Sequence, residues 1–144
     1  MKYLLIIALL VFTNCTAWDA SKEKPLGRGE VRTVSFEGVD YERNLAELSK
    51  KDSFKGPDLS VGMEAIQENL VKLDALRRCP VKGKSTVTFV VGTDGSVIKP
   101  QVIVSIHPKC DPLAVSAFSG VVFTPAMLDG EPIAIRSTLP INFE

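Results

Sequence analysis

The chain has 144 residues, enough for one domain with a single hydrophobic core and a tail or linker. Lysine and arginine together number 17, as do aspartate and glutamate, so the formal net charge is zero. The sequence contains no basic patch with interleaved aromatic residues, and these features together argue against nucleic-acid binding.

The first 17 residues have the organisation of a secretory signal peptide. Lys2 supplies a positive charge, residues 3–12 are apolar, and the small and polar residues TNCTA follow. An apolar run of this length makes a helix of roughly 15 Å, half of a bilayer core, which favours a cleaved signal over a permanent anchor. We therefore expect the protein to be exported to the periplasm.

Two modes of cleavage remain open. A lipoprotein signal would end before Cys15, which would become a lipidated first residue and tether the protein to a membrane without spanning it. Ordinary cleavage would follow Ala17. The position of Cys15 suits lipidation, whereas Phe12 and Asn14 are unusual in such a signal. In either case we expect Cys15 to stay outside the fold.

Charge divides the rest of the chain into two parts. Between residues 17 and 58, 17 of 42 residues are charged, against 16 of 86 between residues 59 and 144. A segment so rich in charge buries little apolar surface by itself. We therefore expect residues 18–60 to form a charged linker with weak local structure, and residues 61–144 to form the folded domain.

Two weak elements are expected inside this linker. Residues 31–39 (VRTVSFEGV) have some strand character. Tyr41, Leu45 and Leu48 have the i, i+4, i+7 spacing of a short helix. The sequence leaves open whether either element docks on the domain.

A long amphipathic helix is predicted after the loop at Gly56-Pro57. Arg77 and Arg78 stand in its last turn, where the helix dipole favours cations, and Pro80 ends it. Its apolar residues recur at intervals of three and four and form one stripe: Met63, Ile66, Leu70, Leu73 and Leu76.

A β-hairpin is predicted around Asp94-Gly95. The runs STVTFVV and SVIKPQVIVS flank this pair, which favours a two-residue type I′ turn. The register fixed by that turn pairs Val91 with Ile98, Phe89 with Pro100, Val87 with Val102 and Ser85 with Val104. Because Pro100 cannot donate to the ladder, we expect a bulge or an unpaired point there.

Cys79 and Cys110 lie at equal distances from the same turn, just beyond the open end of the hairpin. With Cys15 lipidated or removed, they are an even pair in an oxidising compartment, which favours a disulfide over two free thiols. Their spacing is not C-x-x-C, so a structural staple is favoured over a redox site.

A second helix is predicted to open at Asp111-Pro112, with aspartate as its N-cap and proline as its first helical residue. Gly120 is a candidate terminator. The apolar side of this helix consists of Leu113, Ala114, Ala117, Phe118 and Val121.

After a turn at Asp129-Gly130, the last segment alternates as one long amphipathic strand. The residues expected to face the helices are Ile133, Ile135, Leu139, Ile141 and Phe143. The order of elements is then helix, strand, strand, helix, strand. It predicts an α+β fold, a three-stranded antiparallel sheet with two helices packed on one face.

These residues resemble the TonB C-terminal domain family. Its successive features are matched by ALRRCPVKG, STVTFVV, TDG, VIVS, CDPLAVSA, FTPA, DGEP and LPINF, over roughly Ile66 to Glu144. The resemblance implies the same fold and a protein-binding module that contacts outer-membrane receptors in energy-dependent transport. It also implies a binding mode, because TonB domains capture an extended receptor segment by strand addition.

The chain departs from the family at two points. The receptor-contacting Tyr-Pro pair is replaced by Leu70-Val71-Lys72, and the Pro-rich arm and inner-membrane anchor of the transducers have no counterpart in the sequence. An alternative function therefore stays open, in which a structural or scaffolding envelope lipoprotein uses the same fold for another partner.

The sequence predicts no catalytic site, metal site or cofactor. His107 is the only histidine and lies in the loop IHPKC, while Asp129 and Glu131 flank a turn. Metal sites and activated nucleophiles need several such groups together. We therefore expect a binding module and not an enzyme.

The candidate binding site is the exposed edge of the final strand. Strand addition relies on main-chain hydrogen bonds and needs no special side chains. The expected partner is a protein, with membrane contact only through a lipid on Cys15. The edge residues are Ile133, Ala134, Ile135, Arg136, Ser137 and Thr138.

Overall fold

The computed structural model describes residues 28–29 and 31–144, and within them the fold is α+β with antiparallel sheets. The predicted signal peptide and Cys15 lie outside the described residues. The helices are α1 (Leu45–Leu48), α2 (Ser60–Lys72), α3 (Ala75–Arg78) and α4 (Asp111–Ser116). The strands are β1 (Phe54–Lys55), β2 (Gly83–Val91), β3 (Val97–Val104), β4 (Ala126–Leu128), β5 (Glu131–Ile133) and β6 (Ile135–Phe143).

The larger sheet has the order β3-β2-β6, with both pairs antiparallel. The central strand β2 is apolar on both sides, and all its residues from Val87 to Val91 are buried. A strand so placed has neighbours on both edges and cover on both faces, which explains its nearly continuous β-branched and aromatic sequence.

One face of this sheet carries the main core. Phe89 lies at its centre, with ring centroids 4.9 Å from Phe118 and 5.4 Å from Phe123. Ile66 and Leu70 of α2 and Leu113 of α4 belong to the same buried cluster. Ring pairs at these distances add to the stability gained from apolar burial.

The leading segment, residues 28–29 and 31–43, lies against the opposite face and both edges of the sheet. The Gln101 side chain donates to the carbonyl of Ser35, and Lys99 donates to that of Glu37. Val90, which points to this face, is fully buried. The described part of the predicted linker is therefore docked on the domain.

The two weak elements predicted in the linker have different outcomes. The expected strand over residues 31–39 is reduced to one antiparallel bridge, between Val31 and Val104. The expected short helix is present as α1, and its Leu48 is buried. Tyr41 lies ahead of the helix and packs edge-on against Phe36, with the ring centroids 5.7 Å apart.

The β2–β3 ladder contains a bulge at Pro100, as predicted, and the bulge changes the register. Val87 pairs with Val102 as expected and Thr88 pairs with Gln101, but the ladder shifts beyond Thr88. Val91 therefore lies opposite Val97, so the predicted pairing of Val91 with Ile98 is wrong. A second shift places Val104 opposite Thr86, and the pairing of Ser85 with Val104 is wrong for the same reason.

The turn of this hairpin also differs from the prediction. Gly95 has a φ of +82°, but Asp94 stays in the ordinary region, so this is not a type I′ turn. The Gly95 amide donates to the Gly92 carbonyl, which describes a turn followed by a left-handed glycine. The Phe123 amide donates to the Gly95 carbonyl at 2.8 Å, so a distant segment holds this loop.

The type I′ chemistry occurs instead at the second Asp-Gly pair. Asp129 and Gly130 have φ values of +52° and +81° and join β4 to β5 in the smaller sheet, whose order is β1-β4-β5. The predicted single C-terminal strand is consequently two strands, because β5 pairs with β4 while β6 pairs with β2. Ala134 separates them.

The predicted long helix is interrupted. α2 ends at Lys72, and Asp74 adopts a left-handed conformation with a φ of +51° before α3 begins. A left-handed residue cannot continue a right-handed helix. Ala75 is buried as a result, while Leu76, the last member of the predicted stripe, is 52% exposed.

The predicted cap of α4 is wrong. Cys110 is the capping residue, and the Asp111 carboxylate accepts a hydrogen bond from the Ser105 hydroxyl at 2.7 Å instead of capping the helix. The expected apolar side of this helix is buried.

Cys79 and Cys110 form a disulfide in the structure, with their Cα atoms 4.8 Å apart. The bond joins the end of α3 to the start of α4 and closes one end of the domain, here called the disulfide end. The opposite end holds the β2–β3 turn.

Candidate strand-binding edge

The outer edge of β6 is defined by the direction of its backbone groups. The Glu42 amide donates to the Ala134 carbonyl at 2.8 Å from outside the sheet. Backbone groups alternate between the two sides of a strand, so the even-numbered residues direct their amide and carbonyl groups outward. Arg136 and Thr138 therefore direct both groups to this side of the strand, and the parallel bridge of Glu42 with Ile135 sets the Glu42 carbonyl beside the Arg136 amide.

Pro140 agrees with this assignment. It belongs to the even-numbered set, and proline in a sheet is tolerated where its missing donor would face away from the ladder. The odd-numbered residues, including Ile135 and Ile141, direct their backbone groups to β2 and their side chains to the buried face.

A groove runs along the first half of this edge. It has a volume of about 380 Å³, and the leading segment and α1 form one wall while β6 forms the other. Its lining residues are Tyr41, Glu42, Arg43, Leu45, Ile135, Arg136, Ser137 and Thr138.

The walls of this groove combine apolar side chains with two arginines and one glutamate. The Arg43 guanidinium lies 5.2 Å above the centre of the Tyr41 ring, which holds the two side chains together. Arg136, on the facing strand, is exposed. The groove can therefore take an extended chain whose side chains are apolar or acidic.

Thr138 is also held on the outer side of the sheet. Its hydroxyl donates to the hydroxyl of Thr88 at 3.3 Å, and Thr88 in turn donates to the carbonyl of Ser137 at 3.1 Å. Such cross-strand threonine pairs stabilise neighbouring strands modestly. They fix the side chain without using the outward amide.

The six edge residues proposed from the sequence occupy three different settings. Ile133 belongs to β5 and pairs with Ala126 in the smaller sheet. Ala134 and Ile135 meet Glu42 through the hydrogen bond and a parallel bridge. The remaining three, Arg136, Ser137 and Thr138, line the groove.

The sequence did not indicate that Tyr41, Arg43 and Leu45 would form a wall of this site. Their charged surroundings suggested a linker, and the contact joins residues about 90 positions apart. The helical spacing of Tyr41 and Leu45 was the only local signal, and it did not specify where the element would dock.

Other candidate groups are dispersed. Among residues 28–29 and 31–144, no three histidine, cysteine or acidic side chains are close enough to hold a metal ion. His107 accepts a hydrogen bond from the Lys109 amide within its own loop. Burial raises the pKa of Asp111, and the Ser105 hydrogen bond and the charges of Arg32 and His107 oppose that shift.

The comparisons with known proteins agree with the fold. The family described as Gram-negative bacterial TonB protein C-terminal matches residues 75–144. No curated protein and no solved structure was found to match the chain. In the part of the chain that the structure describes, no helix is long and apolar enough to cross a membrane.

The matched residues run from α3 to the end of β6. They include the whole larger sheet, the disulfide and the candidate edge. Domains of this family are protein-interaction modules of the bacterial periplasm and not enzymes. Over residues 75–144 the chain therefore matches the TonB C-terminal family.

Proposed function

We propose that this protein is an exported binding module that captures an extended segment of an outer-membrane receptor by strand addition at the outer edge of β6. The observation that carries the proposal is the pair of outward-facing residues, Arg136 and Thr138, beside a groove. The family match supports the same kind of partner, because TonB C-terminal domains function in envelope transport.

Main-chain pairing would supply most of the affinity. An added strand could exchange hydrogen bonds with Arg136 and Thr138, whereas Pro140 offers a carbonyl but no donor. The ladder is therefore strongest along the groove and weakens toward the end of β6. Tyr41 and Leu45 would contact apolar side chains of the partner, while Arg43 and Arg136 would favour acidic ones.

The proposal includes the predicted export. Residues 1–17 would act as the signal, and lipidation at Cys15 would leave the domain tethered on the periplasmic side of a membrane. Residues 61–144 would then be the receptor-binding domain, and the docked part of residues 18–60 would complete its groove.

A scaffolding role is the second candidate, favoured by one observation. The segment Leu70-Val71-Lys72 stands where the family has its receptor-contacting Tyr-Pro pair, and Val71 is 74% exposed. A partner other than a receptor could use that surface. Pull-down from an envelope fraction, with identification of the bound protein, separates the two functions.

Replacement of Thr138 by proline tests strand addition. Thr138→Pro removes one outward donor and hinders close approach, so affinity for a peptide from a receptor's N-terminal segment should fall about tenfold or more. Titration by calorimetry measures it. Thr138→Val is the matched control, because it removes the hydroxyl pair with Thr88 but keeps the amide.

The two variants must be compared at equal stability. Thermal unfolding should show a small loss for each, since the Thr138 side chain is exposed. If Thr138→Pro stays folded and binds the peptide as tightly as Thr138→Val, and crosslinks map the peptide to α2 or α4, strand addition is the wrong mechanism.

A further inference from the structure

Basic side chains are concentrated at the disulfide end of the domain. Arg77 and Arg78 end α3 immediately before Cys79, and Lys109 immediately precedes Cys110. The disulfide holds these two segments together. Exposed cations at this end, here called the basic end, are Arg28, Arg77, Arg78, Lys82, Lys84 and Lys109.

Among the residues that the structure describes, few acidic side chains offset these charges. Asp74 forms an exposed ion pair with Arg77 at 3.5 Å, and Glu144 follows the last strand beside the start of β2. Asp111 is partly buried, accepts the Ser105 hydrogen bond and feels the charge of Arg32. The basic end therefore keeps an excess of positive charge although the whole chain is neutral.

The described part of the chain begins at the same end. Val31 pairs antiparallel with Val104, and two residues earlier the Gly29 amide donates to the carbonyl of Ser105 at 2.8 Å. Toward lower residue numbers the leading segment thus runs past the end of β3 to the loop that precedes Cys110. The described part of the chain therefore begins at the basic end, at Arg28.

The candidate strand-binding groove lies near the other end of the sheet. Gly83 pairs with Phe143, and Val91 pairs with Ile135. The groove is therefore at the turn end of β6, and the nine residues of that strand separate it from the basic end by roughly 27 Å.

We propose that the basic end rests on the anionic phospholipid headgroups of the membrane that holds the protein's N-terminus, with the strand-binding groove directed away from that membrane. Cationic side chains near an anionic lipid surface attract it additively. This orientation rests on the lipid anchor proposed at Cys15. The 12 residues between Cys15 and Arg28 let the two span at most about 45 Å, so that anchor would keep the basic end near the headgroups.

Two features make this orientation specific. The cations lie close to Arg28, the first described residue, so a lipid anchor and the positive charge would act on the same end. Lys50, Lys51 and Lys55 lie instead near β1, whose neighbour Asp58 pairs with Thr124 close to the β2–β3 turn. These three lysines should point away from the membrane and serve as an internal control.

Lysine reactivity on bilayers of different charge tests the orientation. The mature protein, purified from the envelope, is placed on nanodiscs of phosphatidylcholine alone or with phosphatidylglycerol. It is acetylated under single-hit conditions and analysed by mass spectrometry. On anionic discs at low salt, Lys82, Lys84 and Lys109 should react several-fold more slowly than on neutral discs. High salt should restore their rates.

A matched pair of variants sharpens the test. Arg77→Gln with Arg78→Gln removes two charges from the basic end and should weaken its association with anionic discs roughly 30-fold, so the protection is lost. Lys50→Gln with Lys51→Gln removes two charges at the far end and should leave the protection unchanged.

Equal acetylation rates on neutral and anionic discs for the three basic-end lysines would overturn the proposal. Protection of Lys55 to the same degree as Lys109 would overturn it too, since it would show association without orientation. Neither outcome bears on strand addition, which is measured by peptide affinity at another surface.

Discussion

The leading segment pairs with both edges of the larger sheet, but to different extents. On the β3 edge, Gly29 donates to Ser105 and Arg32 donates to Ile103, each at 2.8 Å, and Val31 forms a bridge between them. On the β6 edge, the segment pairs through a single residue, Glu42, with Ala134 and Ile135, and then turns away into α1.

This difference leaves one edge more protected than the other. An open edge is a template for pairing with any other chain, and proteins usually cover or interrupt it. Here the β3 edge is covered at one end and bulged at Pro100, while the β6 edge keeps the outward groups of Arg136 and Thr138 beside a groove. The uncovered edge is the one that a binding partner can use.

Removal of the disulfide should have the largest effect on stability. Cys79→Ser with Cys110→Ser opens a loop closed by a bond of sequence separation 31, which the chain-entropy relation values at about 3.7 kcal/mol. Urea unfolding should show this loss. β6 lies outside the loop that the disulfide closes, so the double variant, when folded, should bind the peptide normally. A loss of unfolding free energy below 1 kcal/mol would contradict the account.

Removal of one backbone hydrogen bond at each edge should show which edge takes part in peptide binding. Arg32→Pro and Glu42→Pro each remove one amide donor, and each should cost about 1 kcal/mol of unfolding free energy. Only Glu42→Pro loosens the groove wall, so only it should weaken peptide binding, about fivefold.

The alanine variants at both positions keep the amide and serve as controls for these two prolines. Equal peptide affinity for Arg32→Pro and Glu42→Pro would show that the groove wall is irrelevant to binding. A tighter complex with Glu42→Pro would show that the leading segment competes with the partner for the edge.

The smallest expected effect concerns Asp111, beside the covered edge. Because burial raises its pKa in the folded state, the native protein binds more protons than the unfolded chain between the ordinary aspartate pKa of 3.8 and the raised value. Stability should therefore fall as the pH rises through that window. Asp111→Asn should lack this slope, and urea unfolding from pH 3 to 7 measures the difference; parallel profiles would contradict the assignment.

Local chemistry was enough to predict the presence of β2, β3, α2 and α4. β2 and β3 are β-branched runs, and the stripe of α2 is visible in its periodicity. The disulfide followed from an even pair of cysteines after the expected export. These features depend on residues close in sequence or on simple counting.

Features set by distant segments could not be predicted in the same way. The loop at Gly95 is held by Phe123, and a Cβ atom at Gly95 would lie 2.0 Å from the Phe123 carbonyl oxygen, so tertiary contact selects the turn. The groove wall from Tyr41 to Leu45 likewise depends on docking against β6. Neither contact can be predicted from the sequence pattern of the segment that makes it.

Amide hydrogen exchange with and without the receptor peptide tests the central claim most directly. The account predicts that the amides of Arg136 and Thr138 exchange more slowly in the complex, while those of Gly29 and Arg32 on the covered edge are unchanged. Protection confined to α2, or to the β3 edge, with unaltered exchange at Arg136 and Thr138, would contradict it.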